Sequence, residues 1–271
     1  MREVTVTYLR SEVTGTPDGP RQSDGHCQIG ETMLLEVCID SVESAIAAQN
    51  GGAQRVELCA DLANGGTTPS AGMIQSVREA VSMTVHTMIR PRPGDFCYSD
   101  REFDVMMRDV ETAKKLGSDG IVFGILTLNR SVDAGRSKQL LEAARPLRVT
   151  FHRAIDDCPD IEGAFDEIAR LGIDRVLTSG GKPDVLLGAD VLEALVKRSH
   201  GRLKVLAGGG VSFDNVIEVV KRTGVTEIHA LSALSSAFMA VSSPASAGCR
   251  RRVVDPAKVR QMADLLNQIT S

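Results

Sequence analysis

A chain of 271 residues with 42% hydrophobic content can bury one large core, and its length suits a single α/β barrel domain. Its 31 basic and 35 acidic residues leave a net charge of -4, which gives bulk electrostatics no grip on nucleic acid or on an anionic membrane surface. No apolar run reaches the roughly 18 residues of a membrane helix, the start lacks a leader-like pattern, and six scattered cysteines do not form a disulfide framework. The expectation is a soluble, cytoplasmic protein with reduced thiols and small, local partners, not nucleic acid or membrane.

Residues 1–33 are rich in Thr, Ser, Gly, Asp and Arg without a sustained period, and read as a flexible N-terminal arm. From Leu34 a short apolar strand, a polar or Gly turn and an amphipathic stretch recur eight times. The strands are expected at Leu34 to Ile39, Arg55 to Cys59, Thr84 to Arg90, Gly120 to Gly124, Arg148 to His152, Arg175 to Ser179, Leu203 to Ala207 and Glu227 to Leu231. Helical patterns follow, as at Ser41 to Asn50, Arg101 to Leu116, Ile161 to Leu171 and Asp214 to Thr223, with Ser41, Ser70 and Asp100 placed to cap free amides. Eight consecutive βα units favour a closed (β/α)8 barrel of the TIM type over residues 34–271, and no GxGxxG after the first strand supports a dinucleotide fold. The segment from Ser232 to Asp255 is Ser- and Ala-rich and poorly patterned, and reads as an irregular connection that is mobile or covers one face.

Two strands end in the same Glu-x-Cys pattern, Leu34-Leu35-Glu36-Val37-Cys38 and Arg55-Val56-Glu57-Leu58-Cys59. Side chains two apart on a strand share a face, so each segment points a carboxylate and a thiol the same way. His86, Met88 and Arg90 share one parity on the third strand, Thr150 and His152 on the fifth, and His229 lies on the eighth. Outward positions of a barrel must meet apolar helices, so these polar residues are expected to converge on the mouth at the strands' C-terminal ends. The bland alternative is a satisfied internal ion-pair layer of Glu36, Glu57, Arg90 and the histidines.

Three readings of the cysteines stay open. Neighbouring strands lie about 4.8 Å apart, so Cys38 and Cys59 could share a soft ion such as Cu(I), with Zn(II) the second option. The spacing also admits a disulfide, whose Cα atoms lie roughly 5.5 to 6 Å apart, and buried free cysteine is common in cores. Adjacent carboxylates disfavour a thiolate unless a cation is present, which argues against a spontaneously activated nucleophile.

Gly180 and Gly181 follow the sixth strand, and Gly208, Gly209 and Gly210 end the seventh; both runs could present clustered amides to an anion. His26, His200 and the run Arg250-Arg251-Arg252 read as solvated, and Cys27 and Cys249 fall in irregular sequence.

Together with the two Glu-x-Cys strands, Gly65-Gly66-Thr67-Thr68-Pro69-Ser70, Met88-Ile89-Arg90-Pro91-Arg92-Pro93-Gly94-Asp95-Phe96-Cys97-Tyr98-Ser99, Thr150-Phe151-His152-Arg153-Ala154 and Val176-Leu177-Thr178-Ser179-Gly180-Gly181 resemble the CutC copper homeostasis family. The resemblance runs from about Leu34 to His229. It implies a TIM-type barrel, a cytoplasmic homo-oligomer, and Cu(I) held by Cys38 and Cys59. After the eighth strand the chain departs from the family pattern, reading Ala230-Leu231-Ser232-Ala233-Leu234-Ser235-Ser236 before a shortened remainder.

Two functional expectations follow. One is a cytoplasmic Cu(I)-binding protein in which Cys38 and Cys59 are the ligands, Met88 is a weak soft contact, and Glu36, Glu57 and Arg90 set the local field. The other is a barrel-mouth enzyme acting on a small anionic or sugar-like substrate. There Glu36 or Glu57 would be general acid or base, His152 a proton shuttle, Arg90 and Arg153 an anion clamp, and the Gly loops a cradle.

Overall fold

The computed structural model describes residues 33–239 and 250–270. The expected arm, with His26 and Cys27, lies outside the described residues apart from Met33, as does Cys249.

Eight parallel strands, β1 (Leu34–Ile39), β2 (Arg55–Leu58), β3 (Thr84–Met88), β4 (Gly120–Phe123), β5 (Arg148–Phe151), β6 (Arg175–Thr178), β7 (Lys204–Gly208) and β8 (Glu227–Ala230), close into a barrel in chain order. The closing pair sets Leu34 beside Glu227 and Glu36 beside His229, and the β1–β2 register sets Glu36 beside Arg55 and Cys38 beside Glu57. A TIM-type (β/α)8 fold, as expected from eight βα repeats, is what the chain adopts. Several expected strand ends, among them Cys59, Arg90, His152 and Ser179, fall just past the ladder, where the backbone turns into the loops of the mouth.

Side-chain alternation explains why these segments are strands and not buried helix. One parity carries Leu35, Val37, Val56, Leu58, Val85, Ile121, Val149, Phe151, Val176 and Ile228, all essentially inaccessible and part of one continuous core with the helices. Each such side chain contributes roughly 1.5–3 kcal/mol on leaving water. The other parity carries the polar interior.

The outer layer is α1 (Val42–Asn50), α2 (Ala71–Ala80), α3 (Asp100–Lys115), α4 (Ala134–Ala144), α5 (Ile161–Leu171), α6 (Ala189–Ser199), α7 (Val216–Thr223) and α8 (Pro256–Thr270). In α3 the buried residues Phe103, Met106, Val110 and Ala113 recur at helical spacing and form its inner stripe. Ser41 and Ser70 cap α1 and α2 as expected. The cap of α3, however, is Ser99 and not Asp100: Ser99 Oγ accepts from the Glu102 amide while the Glu102 carboxylate takes the Ser99 amide.

The stretch 232–255, unpatterned in sequence, contains two antiparallel strands, β9 (Ser235–Met239) and β10 (Arg250–Val254). Buried Val254 anchors this pair, its amide donating to Ser44 Oγ of α1 at 3.3 Å. No helix among the described residues is long and apolar enough to cross a membrane.

Candidate functional site

The inward parity of the barrel is built in tiers. At the N-terminal end Arg55 of β2 bonds Glu36 of β1 and, through Nη2, Glu227 of β8 at 2.6 Å. Arg175 of β6 adds a bond from its Nη2 to Glu227 Oε1 at 3.1 Å. Burial opposes the charge on Glu36, yet Arg55 and His229 overcome it and hold the carboxyl well below the usual glutamate range. Glu227 is likewise opposed by burial and held low by Arg175 and Arg55. Glu36 therefore follows the bland expectation: it belongs to an ion-pair tier below the mouth.

His229 links that tier to the next. Its Nδ1 lies 2.7 Å from Glu36 Oε1 and its Nε2 3.8 Å from Glu57 Oε2. Burial disfavours an imidazolium here, but Glu57, the Cys38 thiol and Glu36 outweigh it and raise the histidine well above its ordinary value. Glu57 differs from Glu36 because no arginine meets it. Burial pushes its carboxyl up against the pull of His229, and its Oε1 has no partner among the described residues.

Above Glu57 sit the thiols. Cys38 Sγ lies 3.9 Å from Cys59 Sγ, and Cys59 Sγ lies 3.6 Å from Glu57 Oε2. Both cysteines are free and buried, which sets aside the disulfide reading, and with Met88 and Val122 they form an apolar cluster separate from the main core. The Cys59 thiol and burial push Cys38 well above the usual thiol range. Cys59 is pulled down by Cys38, but burial and Glu57 win and push it up to about 11. These shifts favour protonated thiols, which are poor nucleophiles and give up their protons when a cation binds. Donor atoms of Cys38, Glu57 and Cys59 lie within 4.8 Å of one another. Two metal–sulfur bonds of roughly 2.3 Å each span the gap between the sulfurs with a bent geometry, so this group can hold an ion. A second close group, Glu36, Glu57 and His229, is already committed to ion pairing.

Cys38 lines a cavity of about 310 Å³ whose wall also includes Glu57, Met88, Arg90, His152 and His229, while Cys59 lies behind it against Cys38. Of the expected site residues, Glu57, Arg90, His152 and Arg153 are thus brought together there, and Glu36 is not. Arg90 is clamped by carbonyls, from Nη1 to Gly66 at 2.9 Å and from Nη2 to Gly94 at 2.7 Å, leaving its Nε without a partner among the described residues. His152 Nδ1 accepts from the Ala154 amide at 3.1 Å, which places the proton of the neutral ring on Nε2. Burial and then Arg90 pull His152 down to about 3, which favours the neutral ring with Nε2 as donor. The Phe96 ring covers both residues, 4.9 Å from the His152 ring and 5.0 Å from the Arg90 guanidinium carbon.

The two Gly loops part company. After β6 the amides of Ser179 and Gly181 go to the Asp156 carboxylate, at 3.2 and 3.0 Å, and that of Gly180 goes to Thr178 Oγ1 at 2.9 Å. An internal carboxylate therefore fills the cradle expected at Gly180 and Gly181, and that expectation is corrected. Gly209 and Gly210 do line the cavity, whereas Gly208 packs against the His229 side chain within β7.

Sequence reasoning left out Arg55, Glu227, Asp156 and Phe96. For Arg55 the signal was present, since it shares the parity of Glu57 and Cys59. Asp156 and Phe96 sit on loops, where no period announces which way a side chain points.

A sequence profile of the CutC family matches residues 33–234. The chain belongs to the CutC family. The match spans all eight barrel strands and ends before β9, so the β9–β10 pair lies outside it. The chain is similar to a CutC family protein of Bacteroides fragilis, 51% identical over 72% of this chain and 78% of the relative. It is 41% identical to the copper homeostasis protein cutC homolog of Homo sapiens over 92% of this chain and 94% of that protein. The solved structure of a CutC protein from Streptococcus agalactiae shares the fold with a TM-score of 0.70 and 35% identity, covering 73% of this chain and 98% of that one. Within this CutC barrel the paired Glu-x-Cys strands are neighbours, and Cys38, in contact with Cys59, lines the cavity.

Proposed function

We propose that the protein binds Cu(I) through Cys38 and Cys59 and serves copper homeostasis in the cytoplasm. The observation that carries this is the pair of buried, unbonded sulfurs 3.9 Å apart beside Glu57. Thiolates select soft monovalent copper, and Met88, packed on the same cluster, adds a second kind of soft donor. A tetrahedral Zn(II) centre would need a fourth donor beyond Cys38, Glu57 and Cys59. Reduced, buried thiols suit a reducing compartment, which supports the cytoplasmic part of the reading.

Anaerobic Cu(I) titration against a competing chelator tests it. The wild type should hold one Cu(I), and the Cys38→Ser, Cys59→Ser double variant should lose it. Equal affinity in both would overturn the assignment.

A further inference from the structure

Copper accounts for the thiols but not for the rest of the cavity. Its wall carries three charged or polar side chains, Glu57, Arg90 and His152, that are 3%, 6% and 4% exposed, and each has an atom without a protein partner among the described residues. Glu57 Oε1 is an acceptor, whereas Arg90 Nε and His152 Nε2 are donors. Burying such atoms unsatisfied costs about 1–3 kcal/mol each.

The loop after β7 supplies the complement. The Gly209 and Gly210 carbonyls are held by the Val185 amide at 2.9 Å and Asn215 Nδ2 at 2.8 Å, while no described hydrogen bond uses either glycine's amide. Both glycines have positive φ, +110° and +70°, a backbone state that L side chains rarely adopt. Arg153 lies against Gly209, where a Cβ would come 3.0 Å from the guanidinium. Arg153 uses Nε on Asp156 at 2.8 Å and Nη2 on Ser179 at 2.8 Å. The neighbouring β6 loop shows what this arrangement suits, since its amides and the same guanidinium already hold the Asp156 carboxylate.

We propose that the mouth is a binding site for a small hydroxylated anion, with Arg153 and the Gly209 and Gly210 amides taking the anionic group and Glu57, Arg90 and His152 taking hydroxyl or carbonyl oxygens. A ligand that carries hydroxyls as well as an anionic group satisfies more of these partners than a bare inorganic anion does. The cavity, about 310 Å³, sits at the low end of small-molecule sites, roughly 300–1,000 Å³. The anionic group is a phosphate ester or a carboxylate, and both offer oxygens to the same donors. Glu57 belongs to both this site and the metal group, but the anchors of the anionic group, Arg153 and the Gly209 and Gly210 amides, are separate from the sulfurs.

Isothermal titration of the full chain in reducing buffer with glycerol 3-phosphate, D-glycerate, inorganic phosphate and glycerol tests the proposal, and the first two arms separate phosphate ester from carboxylate. One of the hydroxylated anions should bind roughly tenfold or more tightly than inorganic phosphate, and glycerol should not bind. The Arg153→Gln variant should weaken that binding roughly tenfold or more. In the wild type, bound probe should slow phenylglyoxal modification of Arg153, read by peptide mass spectrometry, which decides the matter without a variant. Excess Cu(I) chelator should leave the affinity unchanged, so this site and the copper site fail or stand separately. Absence of binding by both hydroxylated anions, equal binding of inorganic phosphate, or unprotected Arg153 would overturn it.

Discussion

His152 stands so close to Gly124 of the neighbouring strand that a Cβ at residue 124 would lie 2.4 Å from the ring carbon Cε1. The same relation recurs twice in the barrel. A Cβ on Gly120 would lie 2.5 Å from the His86 ring, and one on Gly208 would lie 2.9 Å from His229 Cβ. Each inward imidazole is thus admitted by a glycine on an adjacent strand, which is how a packed barrel interior makes room for three of them.

Gly124→Ala should therefore displace His152 and destabilise the fold by about 1–3 kcal/mol, the usual cost of overpacking. Urea denaturation measures this as a lower midpoint with unchanged slope. A midpoint within error of wild type would mean that the ring moves aside without strain.

Acid sensitivity should trace to the ion-pair tier. Glu227 is held low by Arg175 and Arg55 despite burial. A carboxyl depressed on folding adds stability above its unfolded value, about 4.3, and that stability is lost as pH falls through the lower folded value. Glu227→Gln should lose about 3 kcal/mol at pH 7, because it leaves the half-buried Arg175 without its partner and takes one of two carboxylates from buried Arg55. Below about pH 4.3 its stability should also fall less steeply than that of the wild type. Urea midpoints between pH 7 and pH 3 provide the comparison, and parallel curves would show that Glu227 is not the group responsible.

Native alkylation should sort the cysteines. Cys97 is half-buried, whereas Cys38, Cys59 and Cys158 are buried, and burial with neighbouring acids keeps Cys158 protonated by pushing it up to about 11. Iodoacetamide at neutral pH should label Cys97 roughly tenfold or more faster than these three, with all four labelled in urea. Mass spectrometry of the peptides reads the order. Rapid labelling of Cys38 would contradict the closed thiol pair.

The capping box of α3 has a measurable share in stability. Ser99→Ala removes the hydroxyl that accepts from the Glu102 amide and should cost about 1 kcal/mol. Asp100→Ala, one position on, removes a charge near the helix start and should cost less, about 0.3–1 kcal/mol. Thermal unfolding of the two variants ranks them, and the reverse order would return the cap to Asp100.

Much of the barrel was legible because strands have a strict period of two. Val37 against Cys38, or Leu58 against Cys59, declares its face from its neighbour alone, and eight repeats of that alternation leave few architectures. The β9–β10 pair was hidden because Ser235, Ser236 and Ala237 carry no alternation to read. Its partner strand carries a buried anchor, Val254, whose role depends on a helix more than 200 residues earlier in the chain.

The sequence by itself determined the fold class, the parity that turns Cys38, Cys59, Glu57 and His152 inward, and the family to which the chain belongs. Only the tertiary structure decided which of those groups remain available. Closure of β8 onto β1 brings Glu227 and His229 to Glu36 and Arg55, consuming Glu36 in ion pairs while Glu57 keeps an oxygen without a partner. The fold of the β5 loop sends Asp156 into the β6 amides and leaves those of Gly209 and Gly210 unclaimed by any described hydrogen bond. The physical reason is that hydrophobic periodicity is a local property of the chain. Pairing of charges and hydrogen bonds is settled between segments far apart in sequence, once the barrel has closed.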